Sequence, residues 1–108
     1  MAFLFMMFCV SCLAQKPDLT SVRILTHPVN GNIHMLEATG DVAGNMAVLS
    51  GPDGILLVDS QFSELADSIR DALGAIHTGS IEYIINTHYH EDHSDGNAAL
   101  RDLVTTII

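Results

Sequence analysis

The sequence of 108 residues has few cysteines and few basic side chains. The first shortage argues against a metal site built on cysteine, and the second argues against a nucleic-acid-binding protein. Both cysteines, Cys9 and Cys12, lie in the apolar first 14 residues, where nothing nearby completes a four-ligand metal site. Lysine and arginine together number 4 against 13 acidic residues, which gives a formal charge of −9. Because nucleic-acid affinity comes mainly from neutralising phosphates with Lys and Arg, this charge argues against a nucleic-acid partner.

A long apolar run is also lacking. The stretch from Met1 to Val10 is shorter than the roughly 20 apolar residues that span a bilayer. Small residues at Cys12 and Ala14 suit cleavage before Gln15. We therefore expect residues 1–14 to be a signal peptide and the mature protein to be exported, either periplasmic or secreted. No Lys or Arg precedes the apolar run, so a buried N-terminal strand or a misassigned start codon stays an alternative, as does a lipoprotein acylated at Cys12.

Hydrophobic residues make up 48% of the chain and are arranged in short runs, which is typical of a globular protein. They predict strands at 21–25, 33–38, 45–50, 55–59, 81–86 and 104–108, and helices at 63–73 and 96–103. Asn30-Gly31 predicts one hairpin, and Gly51-Pro52-Asp53-Gly54 predicts another. Ser63 is the expected N-cap of the first helix, and Gly74 is its expected end.

Three of the six histidines lie within six residues, directly after an apolar strand. On extended backbone, His88, His90 and Asp92 point to one side, and His93 follows. Imidazole and carboxylate groups suit Zn²⁺, and ligand sites tend to open at the carboxyl ends of such strands. The sequence therefore predicts a metal site, with an ordinary His-rich surface loop as the alternative. Asp59 also ends an apolar strand, where it either supports these ligands from behind or caps the turn that follows.

The stretch from Asn86 to Asn97, together with Gly54 to Asp59, resembles the metallo-β-lactamase superfamily. The resemblance covers about residues 33–108. It implies a mixed α/β fold, the αβ/βα sandwich, of which residues 33–108 are the N-terminal half and residues 15–32 a linker and first strand. It implies that His88 and His90 bind one metal ion together with a later histidine. It also implies that Asp92 and His93 bind a second ion, that a downstream carboxylate bridges the two ions, and that Asp59 supports the ligands.

The resemblance also implies the chemistry. A zinc-dependent hydrolase of this family uses a metal-bound hydroxide, here on a small-molecule ester, lactone, thioester or β-lactam, with zinc or another divalent metal in two sites. Asp92 is the expected catalytic residue, which orients the water or passes a proton to the leaving group. The fold and the metal loop do not determine which substrate is used, and some members of the superfamily perform redox chemistry.

The ligand set in this sequence is incomplete, because no histidine follows His93. We therefore expect the chain by itself to bind metal weakly, to lack hydrolytic activity, and to self-associate through an exposed sheet face. An inactive remnant, or a metal-binding module without catalysis, is the alternative to an enzyme. The histidines at 27, 34 and 77 are expected to be surface or packing residues.

Overall fold

The computed structural model describes residues 15–41 and 44–108, so the expected signal peptide lies outside the described residues. Over these ranges the chain forms strands β1 to β6 and helices α1 and α2. Their bounds are β1 Ile24–Asn30, β2 Ile33–Ala38, β3 Asn45–Gly51, β4 Gly54–Val58, α1 Ala66–Ile76, β5 Ile81–Ile85, α2 Glu91–Ser94 and β6 Val104–Ile107. Short 3-10 turns occur at Ser63–Leu65, Asp95–Asn97 and Arg101–Leu103.

The strands form one six-stranded sheet in sequence order, β1 to β6. The first four strands form three antiparallel pairs of consecutive strands. The connection through α1 makes β4 and β5 parallel, and β6 continues in the same direction. The carboxyl ends of β4 and β5 therefore lie side by side, where the loops that follow them can meet. Within the described ranges, no helix is long and apolar enough to cross a membrane.

The core lies between one face of this sheet and α1. Alternate residues of the strands point into it, among them Leu36, Val48 and Leu57, and they pack with Ile69 and Leu73 of the helix. The alternation also applies to β4, although an unbroken apolar run such as Ile55 to Val58 is typical of a strand buried on both faces. In the described structure only one face is fully buried, because Leu56 and Val58 point to the other side and stay partly exposed.

The first strand lies further along the chain than predicted, at Ile24–Asn30 instead of residues 21–25. The residues from His27 to Asn32 are rich in turn-forming types, which favours a turn around Pro28. However, β1 is an edge strand of the sheet, and proline is tolerated at an edge because its missing N–H is not needed there. The predicted hairpin is present, and its turn is Gly31 and Asn32, with Gly31 at a positive φ of 55°.

The first helix extends beyond its predicted end. Gly74 does not stop α1, which continues to Ile76. Ser63 is not the N-cap of α1, because Ser63–Leu65 form a 3-10 turn and the helix begins at Ala66. The hydroxyl of Ser63 donates to the carboxylate of Asp95 at 2.7 Å. The predicted helix at 96–103 is reduced to short 3-10 turns. The N–H of Gly96 is bound to the carbonyl of Gln61 at 2.7 Å, and this bond ties the start of the segment to another loop.

An ion pair between Arg70 of α1 and Asp102 joins the helix to the turn before β6, with nitrogen–oxygen distances of 2.6 and 3.1 Å. The hydrogen bond and charge of Arg70 lower the pKa of Asp102. The pair therefore stabilises the fold above the unfolded-state pKa of about 3.9, and this contribution is lost as the pH falls through the lower folded-state pKa.

We expect Asp102→Asn to lower Tm slightly at pH 7. The difference from wild type should close below about pH 3.9 in a pH series of thermal melts, and a constant difference would contradict this.

Candidate metal centre

The predicted site residues lie at the carboxyl ends of the two parallel strands. Asp59 directly follows β4, and its N–H donates to the carbonyl of Ile85, the last residue of β5, at 2.9 Å. The chain then leaves β5 through Asn86 and enters the histidine loop. The pairing of β4 with β5 thus brings Asp59 and the histidine loop together, although 28 residues separate Asp59 from Thr87.

The four loop side chains form two neighbouring pairs of donor atoms. Nε2 of His88 lies 2.9 Å from Nδ1 of His90, and Nε2 of His93 lies 3.2 Å from Oδ2 of Asp92. The rings of His88 and His93 are 4.1 Å apart between centroids, so the pairs adjoin. Two ligand atoms of a tetrahedral zinc ion, each about 2.0–2.2 Å from the metal, are about 3.3 Å apart. Both pairs are close to this separation.

The donor set fits zinc in its chemistry, since it consists of imidazole nitrogen and carboxylate oxygen. Over residues 15–41 and 44–108, no group of three or more His, Cys, Asp and Glu side chains is arranged to hold a metal ion. The arrangement consists instead of two adjacent pairs, each able to supply two ligands.

Asp59 lies behind both pairs and is 3% exposed. Its carboxylate accepts hydrogen bonds from the N–H of Thr87 at 2.8 Å, from the Thr87 hydroxyl at 3.0 Å, and from Nδ1 of His93 at 2.7 Å. Burial raises the pKa of Asp59, but the hydrogen bonds from Thr87 and His93 outweigh it and hold the pKa below its usual value. Asp59 is therefore a carboxylate that accepts hydrogen bonds from the loop.

These bonds determine which ring nitrogens carry protons. Because the Thr87 hydroxyl donates to Asp59, it accepts from Nδ1 of His88, which lies 2.9 Å away. The proton of His88 is thus on Nδ1, and the lone pair of Nε2 faces His90. In the same way Asp59 takes the Nδ1 proton of His93, which leaves the lone pair of Nε2 facing Asp92. Asp59 orients two candidate ligands, as carboxylates behind metal-bound histidines do.

The loop backbone differs from the prediction at Asp92 and His93. The extended spacing of His88 and His90 does not continue, because residues Glu91–Ser94 form the single turn α2. The N–H groups of His93 and Ser94 donate to the carbonyl of His90 at 2.9 and 3.0 Å, and these bonds close the turn. Asp92 and His93 are consequently presented from a helical turn, next to the extended pair.

The other histidines lie apart from these donors. His27 bonds to Glu37 at 2.7 Å across the β1–β2 hairpin. His77 accepts a hydrogen bond from the N–H of Gly79 at 2.8 Å, and His34 is partly buried on β2. Tyr89 is 84% exposed.

Sequence reasoning missed several residues that shape the site, namely Gly44, Ser60, Gln61 and Gly96. The hydroxyl of Ser60 donates to Asn97 at 2.7 Å, and its N–H donates to the carbonyl of His93 at 2.8 Å. A Cβ at Gly96 would collide with the backbone carbonyl of Ser60. Gly96 could have been suspected as a close-approach glycine from its place after the loop. A single serine or glutamine gives no comparable signal in the sequence.

The close approach of Gly96 to Ser60 leads to a test of packing behind the loop. We expect Gly96→Ala to destabilise the chain by about 1–3 kcal/mol, because the methyl group would meet backbone that cannot yield as a flexible side chain would. Gly74→Ala is the matched control. It lies inside α1 with open space around its Cβ position, so the same change should stabilise by about 0.5–1 kcal/mol. Urea unfolding measures both, and a harmless Gly96→Ala would argue against the tight contact.

Comparisons with known proteins identify the family and the fold. The profile of the family described as "Metallo-beta-lactamase superfamily" matches residues 39–106. No match was found among curated protein sequences. Solved structures with the same fold include a metallo-β-lactamase from Erythrobacter litoralis, with 21% identity over 74% of this chain and a TM-score of 0.63. Another is a metallo-β-lactamase from Pseudomonas aeruginosa in a mono-zinc form, with 20% identity over 75% and a TM-score of 0.61. A third is a flavo di-iron protein variant from Thermotoga maritima, with 20% identity over 76% and a TM-score of 0.64.

The chain spans 38%, 39% and 25% of the length of these three structures, respectively. At these identities the likeness shows the fold, and it confirms the predicted α/β architecture. The named relatives hold zinc in one case and iron in another, so the metal differs within the fold. With more than half of its residues matched to the family profile and with this fold, the chain belongs to the metallo-β-lactamase superfamily.

Proposed function

We propose that the protein is a zinc-dependent hydrolase that acts on a small-molecule ester, lactone, thioester or β-lactam. The observation that carries this proposal is the pair of adjoining donor sets, His88 with His90 and Asp92 with His93, oriented from behind by buried Asp59. The ligand types of this arrangement are those that zinc binds, and the separation within each pair is close to that of two ligands of one zinc ion.

A bound zinc ion lowers the pKa of water and polarises the electrophile that the water attacks. The chain supplies the rest. Asp59 and Thr87 keep the lone pairs of His88 and His93 turned toward the donor pairs. The carboxylate of Asp92 is 34% exposed, so water and substrate can reach it, and it is the proposed catalytic residue that holds or passes the proton. It would orient the attacking water or protonate the leaving group.

The formal charge of −9 supports small molecules as substrates in preference to nucleic acids. Nuclease substrates would be repelled by this surface, whereas small neutral or weakly anionic molecules enter a cleft through local contacts. Export to the periplasm or outside the cell, with cleavage before Gln15, is part of the same proposal.

The test is an assay of the complete gene product, stripped of metal and reloaded with zinc or with iron. Panels of β-lactam, lactone, thioester, ester and RNA substrates are then compared. We expect zinc-dependent hydrolysis within the small-molecule panel, lost in His88→Ala and kept in the matched control His34→Ala. Selective cleavage of RNA, or activity that requires iron and electron transfer, would contradict the proposal.

The 108 residues by themselves supply two ligands to each proposed ion, whereas a catalytic zinc normally has three protein ligands and an open position. We therefore propose that this chain alone binds zinc weakly and does not turn substrate over. Equilibrium dialysis and an ester assay measure both. Tight stoichiometric zinc with turnover abolished by His88→Ala would show that a second copy completes the site.

A second copy is also the partner that we propose for the open face of the sheet. Ile33, Leu49 and Tyr83 are 42%, 42% and 46% exposed on the described structure, on strands whose other face forms the core. Exposed apolar surface of this kind favours association. Sedimentation velocity of the chain should show oligomers, and Leu49→Lys with Tyr83→Lys should shift them toward monomer. A monomeric wild type would contradict the proposal.

A further inference from the structure

The three residues after β4, Asp59, Ser60 and Gln61, are polar and yet 3%, 0% and 0% exposed. Asp59 and Gln61 have positive φ angles of 66° and 62°, a region that residues other than glycine rarely adopt. Such backbone persists where the surroundings determine it, and it is found most often at functional sites. Asp59 and Ser60 contact the histidine loop, as described above. Gln61 makes a different connection.

Gln61 joins two loops. Its backbone carbonyl accepts the N–H of Gly96, at the end of the histidine loop, at 2.7 Å. Its side-chain Nε2 donates to the carbonyl of Gly44, just before β3. Its Oε1 is buried without a partner among the described residues. A buried acceptor without a partner is unfavourable. A residue without a carboxamide would avoid this cost, so the glutamine indicates that its N–H donor is needed at this position.

Gly44 in turn lies against His93. A Cβ on Gly44 would be 2.8 Å from Cε1 of His93 and 3.1 Å from its Nε2, the nitrogen that faces Asp92. The Gly44 backbone therefore contacts the ring edge that carries the proposed ligand atom. Nδ1, the other ring nitrogen, is held by Asp59. The imidazole is thus in contact with Asp59 through Nδ1 and with Gly44 along the edge formed by Cε1 and Nε2.

We propose that Gln61 is a positioning residue: its carboxamide holds the Gly44 backbone against the His93 imidazole and thereby fixes the position of Nε2. The contact between Gln61 and Gly44 is independent of any metal, whereas its effect on metal binding rests on the proposed function. The role requires an N–H donor of this length at a buried position, and neither methionine nor ionised glutamate provides one.

The first measurement is made on the metal-free chain by NMR. We expect a through-hydrogen-bond coupling between Gln61 Nε2 and the Gly44 carbonyl carbon in wild type. Gln61→Met and Gln61→Glu should remove it and shift the His93 Nε2 resonance. Gly44→Ala, which leaves Gln61 intact, should shift the same resonance because its methyl group meets the ring. Absence of the coupling in wild type overturns the proposal even if a Gln61 variant fails to fold.

The second measurement is the zinc affinity of the complete gene product, by competition with a chelating dye. We expect Gln61→Met and Gly44→Ala each to weaken binding by about 10–100-fold, the range typical of groups that orient ligands. Leu73→Ala is the matched control, since it makes a cavity in the core on α1 and touches neither loop. It should lower stability while the His93 resonance and the zinc affinity stay unchanged. Equal effects of Leu73→Ala and Gln61→Met on both readouts would overturn the proposal.

The two proposals fail in different ways. If wild type shows the coupling but the complete gene product binds no zinc, the proposed function is wrong and the Gln61–Gly44 contact stands. If zinc binds to wild type and Gln61→Met leaves both affinity and the His93 resonance unchanged, Gln61 has no positioning role and the metal site stands.

Discussion

Replacing His88 or His90 with alanine should lower zinc affinity by more than about 100-fold in the complete gene product. Removing groups that only orient ligands typically costs about 10–100-fold, and loss of a ligand itself should cost more. Their donor atoms lie 2.9 Å apart, and the proton of His88 is held on Nδ1 by Thr87. Either one shared proton or a metal ion can therefore bind between the two nitrogens. An alanine substitution removes one of these two nitrogens.

The histidines outside the loop are the controls for that result. His27 is bound to Glu37, His77 accepts from Gly79, and neither is near the donor pairs. Single alanine substitutions at 27, 34 and 77 should leave the metal content within about twofold of wild type, since none removes a ligand or a group behind one. Metal counting by atomic emission after dialysis measures all five variants. Equal zinc loss from His34→Ala would contradict the assignment of His88 and His90.

Asp59→Ala should have the second largest effect, on the fold as well as on the metal. The carboxylate accepts three hydrogen bonds from Thr87 and His93 in a buried position. Its removal leaves those donors unpaired, which costs roughly 3 kcal/mol, the lower end for a broken buried pair because His93 is partly exposed. Zinc affinity should fall by about 10–100-fold, since His88 and His93 lose the bonds that orient them.

Two comparisons isolate the cause of the Asp59 effect. Asp59→Asn keeps the size but turns an amide N–H toward donors, so it should lose zinc affinity almost as severely as alanine. Asp53→Asn, in the exposed turn between β3 and β4, removes a carboxylate without removing a buried acceptor and should change neither property. Urea unfolding and zinc competition measure both. An Asp59→Asn variant with wild-type zinc affinity would show that Asp59 only supports the fold.

Much of the sheet could be predicted from the sequence, because hydrophobic runs and turn residues are local signals. Residues 33–38 were predicted as a strand and form β2, and Pro52-Asp53 marks the turn between β3 and β4. The errors occur where tertiary context overrides the local signal. Pro28 is accommodated because β1 is an edge strand. Gly74 stays helical because α1 is held by the packing of Ile69 and Leu73 against the sheet.

The site could be predicted only where a local sequence signal marks its residues. The close spacing of the loop residues is one such signal, for His88, His90, Asp92 and His93. The place of Asp59 at the end of an apolar strand is another. The positions of Gly44 and Gln61 depend on contacts across loops, and their roles come from positive φ, burial and close approach. None of these can be read from a single glycine or glutamine.

The central claim is that the histidine loop binds the metal through nitrogen and oxygen. Zinc K-edge X-ray absorption of the zinc-loaded complete gene product tests it most directly. The account predicts nitrogen and oxygen neighbours at about 2.0–2.2 Å, with imidazole scattering that is weakened in the double variant His88→Ala/His90→Ala. Sulfur neighbours at about 2.3 Å would point to cysteine ligands instead. That result, or a spectrum unchanged in the double variant, would contradict the account.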